Sequence, residues 1–147
     1  MERLQVKIVN RSNNELPTYQ TSGSVGMDLR AYLNDQVILE PLQRKLISTG
    51  LFIELPHGYE AQVRPRNGLA LKQGLTVLNT PGTIDSDYRG EIGVILINLS
   101  NEVQTIKNGD RIAQMIFAKA SFADLIPVDI IDESLRGAGG FAHTGIN

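Results

Sequence analysis

The sequence predicts an all-β fold, a jelly-roll-like or distorted β-barrel domain with one short helix. Short runs rich in Val, Ile and Leu recur roughly every 8–15 residues, which is typical of antiparallel sandwiches and barrels. Gly, Pro and Asn separate these runs, as in Pro56-His57-Gly58, and only one segment has helical character. The runs comprise Val37–Leu39, Lys45–Leu55, Tyr59–Arg64, Leu75–Leu78, Ile92–Leu99 and Ile112–Ala118. An alternation of Leu4, Val6 and Ile8 with polar residues predicts a further, half-buried strand at the start.

The composition is that of one packed globular domain. The chain has 147 residues, of which 41% are hydrophobic and 20% are charged. A formal net charge of −2 argues against a nucleic-acid partner, which requires a basic face. The absence of cysteine excludes disulfides and thiolate metal sites. We also expect no membrane segment and a cytoplasmic location, because no apolar run approaches the length of a membrane span.

The helical segment is predicted at Asn67–Gly74. Asn67 is a favoured N-cap residue, and Gly74 is a favoured residue just past a helix end. Arg64 and Arg66 precede the segment, so two guanidinium groups are expected beside the first turn of the helix. Free amides together with arginines indicate an anion site, and phosphate is the obvious ligand.

A segment between two turn signals carries acids and an aromatic ring. Residues 81–91 read Pro-Gly-Thr-Ile-Asp-Ser-Asp-Tyr-Arg-Gly-Glu, and a strand-like run follows at once. This order predicts a hairpin whose tip holds Asp85, Asp87 and Tyr88 over a small cavity. Such a pocket suits a flat ligand and a water molecule that needs a base. Asp87 is expected to support the hairpin.

The last twelve residues differ from the rest in composition. Arg136–Asn147 contains four glycines together with single Arg, Phe and Thr residues. So much glycine is unfavourable for a core element. We therefore predict a single β domain over residues 1–135 and a flexible arm over residues 136–147, which closes over a bound ligand.

Five segments in order resemble the trimeric, all-β dUTP pyrophosphatases (dUTPases). They are Gly26-Met-Asp-Leu-Arg-Ala31, Pro65-Arg-Asn-Gly-Leu-Ala70, Gly82-Thr-Ile-Asp-Ser-Asp-Tyr-Arg-Gly-Glu91, Gly109-Asp-Arg-Ile-Ala-Gln114 and Arg136-Gly-Ala-Gly-Gly-Phe141 with Thr144-Gly145. The resemblance implies a homotrimer with three active sites at subunit contacts. It also implies hydrolysis of dUTP to dUMP and pyrophosphate, with Mg²⁺ bound across the triphosphate. That reaction limits uracil in DNA and supplies dUMP for thymidylate synthesis.

The resemblance assigns a role to each matching residue. Asp85 takes the position of the general base that activates water for attack on the α-phosphorus. Tyr88 lies under the deoxyribose, where its ring excludes a 2′-hydroxyl. Asn79 and the backbone of Thr83 to Asp85, which includes Ile84, contact the polar edge of uracil, and Gly93 lets its strand come close to the base. Phosphates are contacted by Arg66, Asn67, Gly68 and Gln114. Arg136 and Thr144 close over the γ-phosphate, Phe141 stacks on uracil, and Asp28 reaches Mg²⁺ through water.

The chain departs from the family pattern at one position, and two alternative functions remain open. The family usually has Ser where this chain has Asn67, which predicts a slower enzyme. A dCTP deaminase shares the fold and much of the third motif, although Asp87-Tyr88 favours a dUTPase. A nucleotide-binding module without turnover is the other alternative. Asp110 and Arg111 suit a structural ion pair as well as a functional role.

Overall fold

The computed structural model describes residues 2–141. Within that range the chain forms eleven strands and one short helix. The elements are β1 (Lys7–Asn10), β2 (Gly26–Arg30), β3 (Val37–Leu39), β4 (Arg44–Ser48), β5 (Leu51–Glu54), β6 (Tyr59–Arg64), α1 (Asn67–Gln73), β7 (Leu75–Val77), β8 (Gly82–Ile84), β9 (Gly93–Asn98), β10 (Gln104–Ile106) and β11 (Arg111–Lys119). The predicted all-β fold with a single short helix is confirmed.

The strands form two main sheets that enclose the core. One has four strands in the order β2-β11-β6-β8, and the other has three in the order β4-β9-β7. Two smaller pairs, β1-β5 and β10-β3, complete the arrangement, and every pairing is antiparallel. These described sheets do not join into one closed barrel. The core side chains include Leu29, Ile47, Leu75, Val94, Leu96 and Met115, all of them at most 1% exposed.

Two of the predicted runs coincide with strands, and two need correction. Val37–Leu39 and Tyr59–Arg64 are β3 and β6. The run Lys45–Leu55 is two strands rather than one, because Gly50 adopts a left-handed conformation (φ 70°) that turns the chain between them. At the start of the chain the first strand begins only at Lys7, and Ile8 is 36% exposed.

The helix begins one residue earlier than its capping signal predicted. Arg66, not Asn67, is the N-cap, with extended φ and ψ of −95° and 131° and no side-chain cap bond. Arg66 is held by an ion pair to Asp28, and this tertiary contact outweighs a local capping preference of about 1 kcal/mol. Gly74 ends the helix in the left-handed region (φ 64°), as predicted. Within residues 2–141, no helix combines the length and apolar character that crossing a membrane requires.

A buried asparagine closes the corner after β9. The Asn98 side chain is fully buried and donates hydrogen bonds to the carbonyl oxygens of Leu39 (2.9 Å) and Glu102 (2.7 Å). Its own oxygen accepts from the Ser100 amide (2.9 Å) and hydroxyl (2.7 Å). Ser100 lies so close to Gly74 that a Cβ there would be 2.9 Å from the Ser100 nitrogen. The side-chain nitrogen and oxygen of Asn98 therefore both have hydrogen-bond partners.

The same corner occurs a second time, after β1. The Asn10 oxygen accepts from the amide (2.9 Å) and hydroxyl (2.6 Å) of Ser12. The Asn10 amide group donates to the Asn14 carbonyl (2.8 Å), and Ser12 packs against Gly50, which is also left-handed. The two corners thus share an Asn-x-Ser sequence and a positive-φ glycine at the start of the paired strand. This local repeat was not predicted.

Candidate active site

The loop that carries Asp85 connects two sheets and is not a hairpin. β8, which precedes it, pairs with β6, whereas β9, which follows it, pairs with β4 and β7. The predicted hairpin is therefore wrong. The reason is that β9 has both edges occupied in the three-stranded sheet, so that β8 pairs elsewhere. Residues 85–92 cross from one sheet to the other.

This loop presents an open carboxylate. Asp85 is exposed, and within residues 2–141 its side chain accepts no hydrogen bond and forms no ion pair. A turn begins at Asp85, whose carbonyl accepts from the Tyr88 amide at 3.2 Å. The Tyr88 hydroxyl donates to the Glu91 carbonyl at 2.7 Å, and its ring occupies the space that a Cβ on Gly90 would need. A carboxylate presented in this way has the capacity to orient and deprotonate water.

The two residues that hold this loop were not predicted, and the expectation that Asp87 supports it is wrong. The Arg89 guanidinium donates to the Ser86 carbonyl at 2.7 Å and lies 3.6 Å from a carboxylate oxygen of Glu54. The Glu91 carboxylate accepts from the Gly50 amide at 2.8 Å. Asp87 makes no side-chain hydrogen bond or ion pair in the described part of the chain. Support for the loop therefore comes from Arg89 and Glu91.

The predicted phosphate-binding residues gather at the far end of β6. The Arg66 Nε lies 3.0 Å from Asp28 Oδ1, and the Arg111 Nη1 lies 3.5 Å from Asp28 Oδ2. Gln114 on β11 is in register with Asp28 on β2, and its side-chain amide donates to the Pro65 carbonyl at 3.1 Å. Gln114 and Asp28 therefore hold the chain and the guanidinium just before the helix.

The first turn of the helix is accessible. Of the two arginines predicted beside it, only Arg66 contributes positive charge there. Asn67 and Gly68 are both exposed. The Arg64 guanidinium turns back along β6 and donates to Gln62 Oε1 at 2.8 and 3.1 Å. The predicted second guanidinium beside the helix is therefore directed away from it. Arg66 supplies the positive charge at this end.

Asp110 and Arg111, for which the sequence left a structural and a functional role open, make different contacts. Asp110 accepts a hydrogen bond from the Lys107 amide at 2.8 Å and so closes its own turn. Gly109 sits in that turn at φ 86°, where a side chain would be strained. Arg111 forms an ion pair with Asp28 and therefore shares that carboxylate with Arg66.

The residues predicted to contact uracil lie around β8 and β9. A Cβ on Gly82 would be 3.4 Å from Asn79 Nδ2, which places Asn79 beside the start of β8. Thr83 is exposed, whereas the Ile84 side chain is only 6% exposed and leaves its backbone as the available part. Gly93 pairs with Ser48 in the other sheet.

The residues around Asp85 and those around Arg66 lie at different positions along β6 within this chain. Ile84, which precedes Asp85, pairs with Ala61, whereas Gln114 pairs with Arg64. Three residues along a strand span about 10 Å, and Arg66 lies two residues further on. Within this chain the backbone positions of Asp85 and Arg66 are therefore well separated along β6.

The C-terminal arm is described only in part. From Ala120 to Phe141 the chain contains no strand or helix. Arg136 donates to the Gly139 carbonyl, and Phe141 is fully exposed. Thr144, the other predicted phosphate-closing residue, lies outside the described residues. The described arm residues do not contact the Asp85 loop through any hydrogen bond.

Comparisons with known proteins show the family of this chain. A sequence model of the dUTPase family matches residues 12–145. A deoxyuridine 5′-triphosphate nucleotidohydrolase from Cytophaga hutchinsonii is 61% identical over 140 residues, covering 95% of this chain and 91% of the relative. These matches give no support to the deaminase alternative.

Solved structures of similar fold are also dUTPases. A variant of the Staphylococcus bacteriophage 80alpha dUTPase, bound to dUpNHpp, is 25% identical with a TM-score of 0.85, over 99% of this chain and 100% of that one. A variant dUTPase from phage phi11 of S. aureus, which coordinates a structural Mg(II) ion, is 20% identical with a TM-score of 0.77, over 88% and 99% of the two chains. The family match and the close relative together establish that the chain belongs to the dUTPase family.

Proposed function

We propose that this chain hydrolyses dUTP to dUMP and pyrophosphate, and that Asp85 activates the attacking water. The observation that carries the assignment of the base is the exposed carboxylate of Asp85, which is unpaired within residues 2–141 and lies on a turn held by Arg89 and Glu91. Water attacks the α-phosphorus as Asp85 takes its proton, and pyrophosphate leaves. A general base placed in this way typically contributes a factor of about 10²–10⁴ to the rate.

Tyr88 and its neighbours select the nucleoside. The Tyr88 ring is held through the Glu91 carbonyl and packs over Gly90, so a sugar that lies on it meets a fixed surface. A 2′-hydroxyl would collide with that surface, which rejects UTP. Asn79, the backbone of Thr83 and Ile84, and Gly93 contact the uracil in this proposal.

The phosphates are bound at the other end of β6. Arg66, oriented by Asp28, pairs with phosphate oxygens, while Asn67, Gly68 and Gln114 add hydrogen-bond donors. Phosphoryl transfer depends mainly on positioning and charge stabilisation, and a fixed guanidinium provides both. Asp28 therefore acts mainly through Arg66.

The complete site is shared between subunits of a homotrimer in this proposal. The separation of Asp85 and Arg66 along β6 supports it, because the base and the phosphate ligands then come from different copies. Seven large apolar side chains between residues 122 and 135 are each at least 61% exposed, which marks a contact surface. The division into a β domain (1–135) and a closing arm (136–147), with Arg136, Phe141 and Thr144 over the substrate, is part of the same proposal.

Magnesium is bound mainly by the substrate in this proposal. Within residues 2–141 no group of three or more His, Asp or Glu side chains is placed to hold a metal ion, and Asp28 is already paired with two arginines. Mg²⁺ commonly binds through substrate phosphates and water with few protein ligands, so this chain's residues fit that mode, with Asp28 available only through water. When bound, Mg²⁺ neutralises phosphate charge. The cytoplasmic location stays a prediction.

A pyrophosphate-release assay tests the proposed function. The parent chain with Mg²⁺ should release pyrophosphate from dUTP and not from UTP or dTTP, and dCTP should yield no ammonia. Asp85→Asn should abolish turnover while a non-hydrolysable dUTP analogue still binds. Asp87→Asn is the matched control, since Asp87 lies on the same loop without side-chain contacts within residues 2–141. Binding without pyrophosphate release by the parent would favour the inactive nucleotide-binding module.

A further inference from the structure

The position of the Asp85 carboxylate depends on the backbone that carries it. Within residues 2–141 no donor side chain contacts this carboxylate, so nothing beyond the turn itself restrains it. The bond that closes the turn, from the Tyr88 amide to the Asp85 carbonyl, is 3.2 Å long. A second restraint on the same turn would therefore matter for the reaction.

Arg89 provides such a restraint. Its Nη1 donates to the Ser86 carbonyl at 2.7 Å and to the Tyr88 carbonyl at 3.2 Å, so one guanidinium spans the turn that starts at Asp85. Hydrogen bonds from a charged donor are stronger and shorter than neutral ones. Because both bonds come from the one Nη1 nitrogen, they hold the Ser86 and Tyr88 carbonyls close to each other.

Glu54 fixes the guanidinium from outside the loop. It lies at the end of β5 and its Oε1 is 3.6 Å from Arg89 Nη2, while its Oε2 is 3.3 Å from Lys7 Nζ. The Arg89 and Glu54 side chains are 54% and 48% exposed, so the ion pair itself adds little stability. Its effect is geometric, because it favours the side-chain conformation in which Arg89 reaches the Ser86 carbonyl.

We propose that Arg89, oriented by Glu54, is a positioning residue that sets the place of the Asp85 carboxylate for water activation. This inference rests on the proposed function. The phosphate ligands lie elsewhere, so loss of the Arg89 contacts should reduce the rate of the chemical step far more than it weakens nucleotide binding.

The test compares Arg89→Met, Arg89→Lys, Glu54→Gln and the double variant Arg89→Met/Glu54→Gln with Lys7→Met as the matched control. Lys7→Met removes the other partner of Glu54 and leaves Arg89 in place. For each variant, kcat with dUTP, the Kd of a non-hydrolysable dUTP analogue and the melting temperature are measured. A methionine retains much of the length of the arginine stem without its donors.

Arg89→Met should lower kcat about tenfold while the analogue Kd changes less than about threefold. Arg89→Lys should recover part of kcat, since it retains one charged donor. Glu54→Gln should cost about threefold and add nothing in the Arg89→Met background, because coupled residues are not additive. Lys7→Met should match the parent chain.

Three outcomes overturn the inference. The first is a kcat for Arg89→Met within about twofold of the parent, and the second is an equal loss for Lys7→Met. The third is a loss in analogue binding as large as the loss in kcat. If Arg89→Met does not fold, Arg89→Lys and Glu54→Gln decide by the same criteria. A parent chain without turnover overturns the proposed function and this inference together. An active parent that requires Asp85 but tolerates Arg89→Met overturns the inference alone.

Discussion

Arg66 and Asp28 are 38 positions apart in the sequence, and the Arg66 Nε donates to Asp28 Oδ1 at 3.0 Å. Their side chains are only 27% and 18% exposed, and Arg111 approaches the second carboxylate oxygen at 3.5 Å. Asp28 is therefore an acid between two cations. Its geometry suits the orientation of the Arg66 guanidinium, which we propose binds phosphate.

The first prediction concerns that ion pair. Asp28→Asn retains the shape of the side chain but removes the charge that orients Arg66. We expect kcat/KM for dUTP to fall about tenfold, mainly through KM, since a charge-assisted hydrogen bond is typically worth about 1.5–3 kcal/mol. Steady-state kinetics measure this effect. Asp35→Asn, at an exposed position after β2, is the control and should change neither constant.

The second prediction concerns Asn67, where the family usually has serine. Within residues 2–141 its exposed side chain forms no hydrogen bond, so in the proposed site it is available to the phosphates but larger than a serine hydroxyl. Asn67→Ser should raise kcat severalfold, because a smaller donor is easier to place beside the phosphate. Turnover measured with saturating dUTP checks it, with the exposed Asn101→Ser as the control. No gain over the parent would refute the hypothesis of a slower enzyme.

The third prediction concerns the proposed exclusion of a 2′-hydroxyl by the Tyr88 ring. A Cβ on Gly90 would overlap the Tyr88 ring, so Gly90→Ala must displace that ring. The ratio of kcat/KM for dUTP to that for UTP should then fall by about tenfold or more, which corresponds to about 1.4 kcal/mol of lost discrimination. Gly23→Ala is the control, since nothing lies within 4 Å of the added methyl group. An unchanged ratio would separate Tyr88 from sugar selection.

The fourth prediction uses the two asparagine corners as a matched pair. Asn98 is fully buried, whereas Asn10 is only partly buried. Asn98→Ala leaves buried backbone groups without partners and should lower the free energy of unfolding by about 2–4 kcal/mol. Asn10→Ala should cost about 1 kcal/mol, because water replaces its bonds. Denaturant unfolding at one fixed protein concentration measures both, and equal losses would contradict the argument from burial.

The fifth prediction is a pH dependence at the start of the chain. The Tyr59 hydroxyl and then the Lys119 ammonium lower the pKa of Glu2, while Glu2 raises the pKa of Tyr59 and of Lys119. A lowered acid pKa stabilises above the ordinary value of 4.5 and loses its effect as the pH falls through the folded-state value. The raised pKa of Lys119 stabilises below its ordinary 10.5, and this effect is lost as the pH rises through the folded-state value.

These contacts should stabilise the adjoining ends of β6 and β11 near neutral pH and lose that effect in strong acid. Hydrogen exchange at the hydrogen-bonded amides of Tyr59 and Ala120, corrected for its intrinsic rate, should be faster in Glu2→Gln than in the parent at pH 7. Once the pH falls below the lowered pKa of Glu2 the two should exchange alike, because the parent carboxyl is then protonated. Glu15→Gln, an exposed acid with no side-chain contact within residues 2–141, is the control. A difference that persists in acid would contradict the role of the Glu2 charge.

Local patterns predicted the parts of this protein that depend on neighbouring residues. Short apolar runs bounded by turn residues placed β3 and β6 correctly, and Gly74 ended the helix where its freedom at positive φ was needed. The motif around Asp85 and Tyr88 predicted which chemical groups belong to the candidate site. Such signals are local, since strand periodicity and glycine conformation are properties of a few consecutive residues.

The sequence by itself thus determined the all-β class and the groups available for chemistry. Only the tertiary structure decided their spatial relationships: β8 and β9 lie in different sheets, Asp28 orients Arg66, and Glu54 reaches Arg89. These relationships depend on which strand edges are already paired and which distant side chains meet. Neighbouring residues in the chain carry no information about either, so local patterns predicted a hairpin and an N-cap at Asn67 that the fold does not contain.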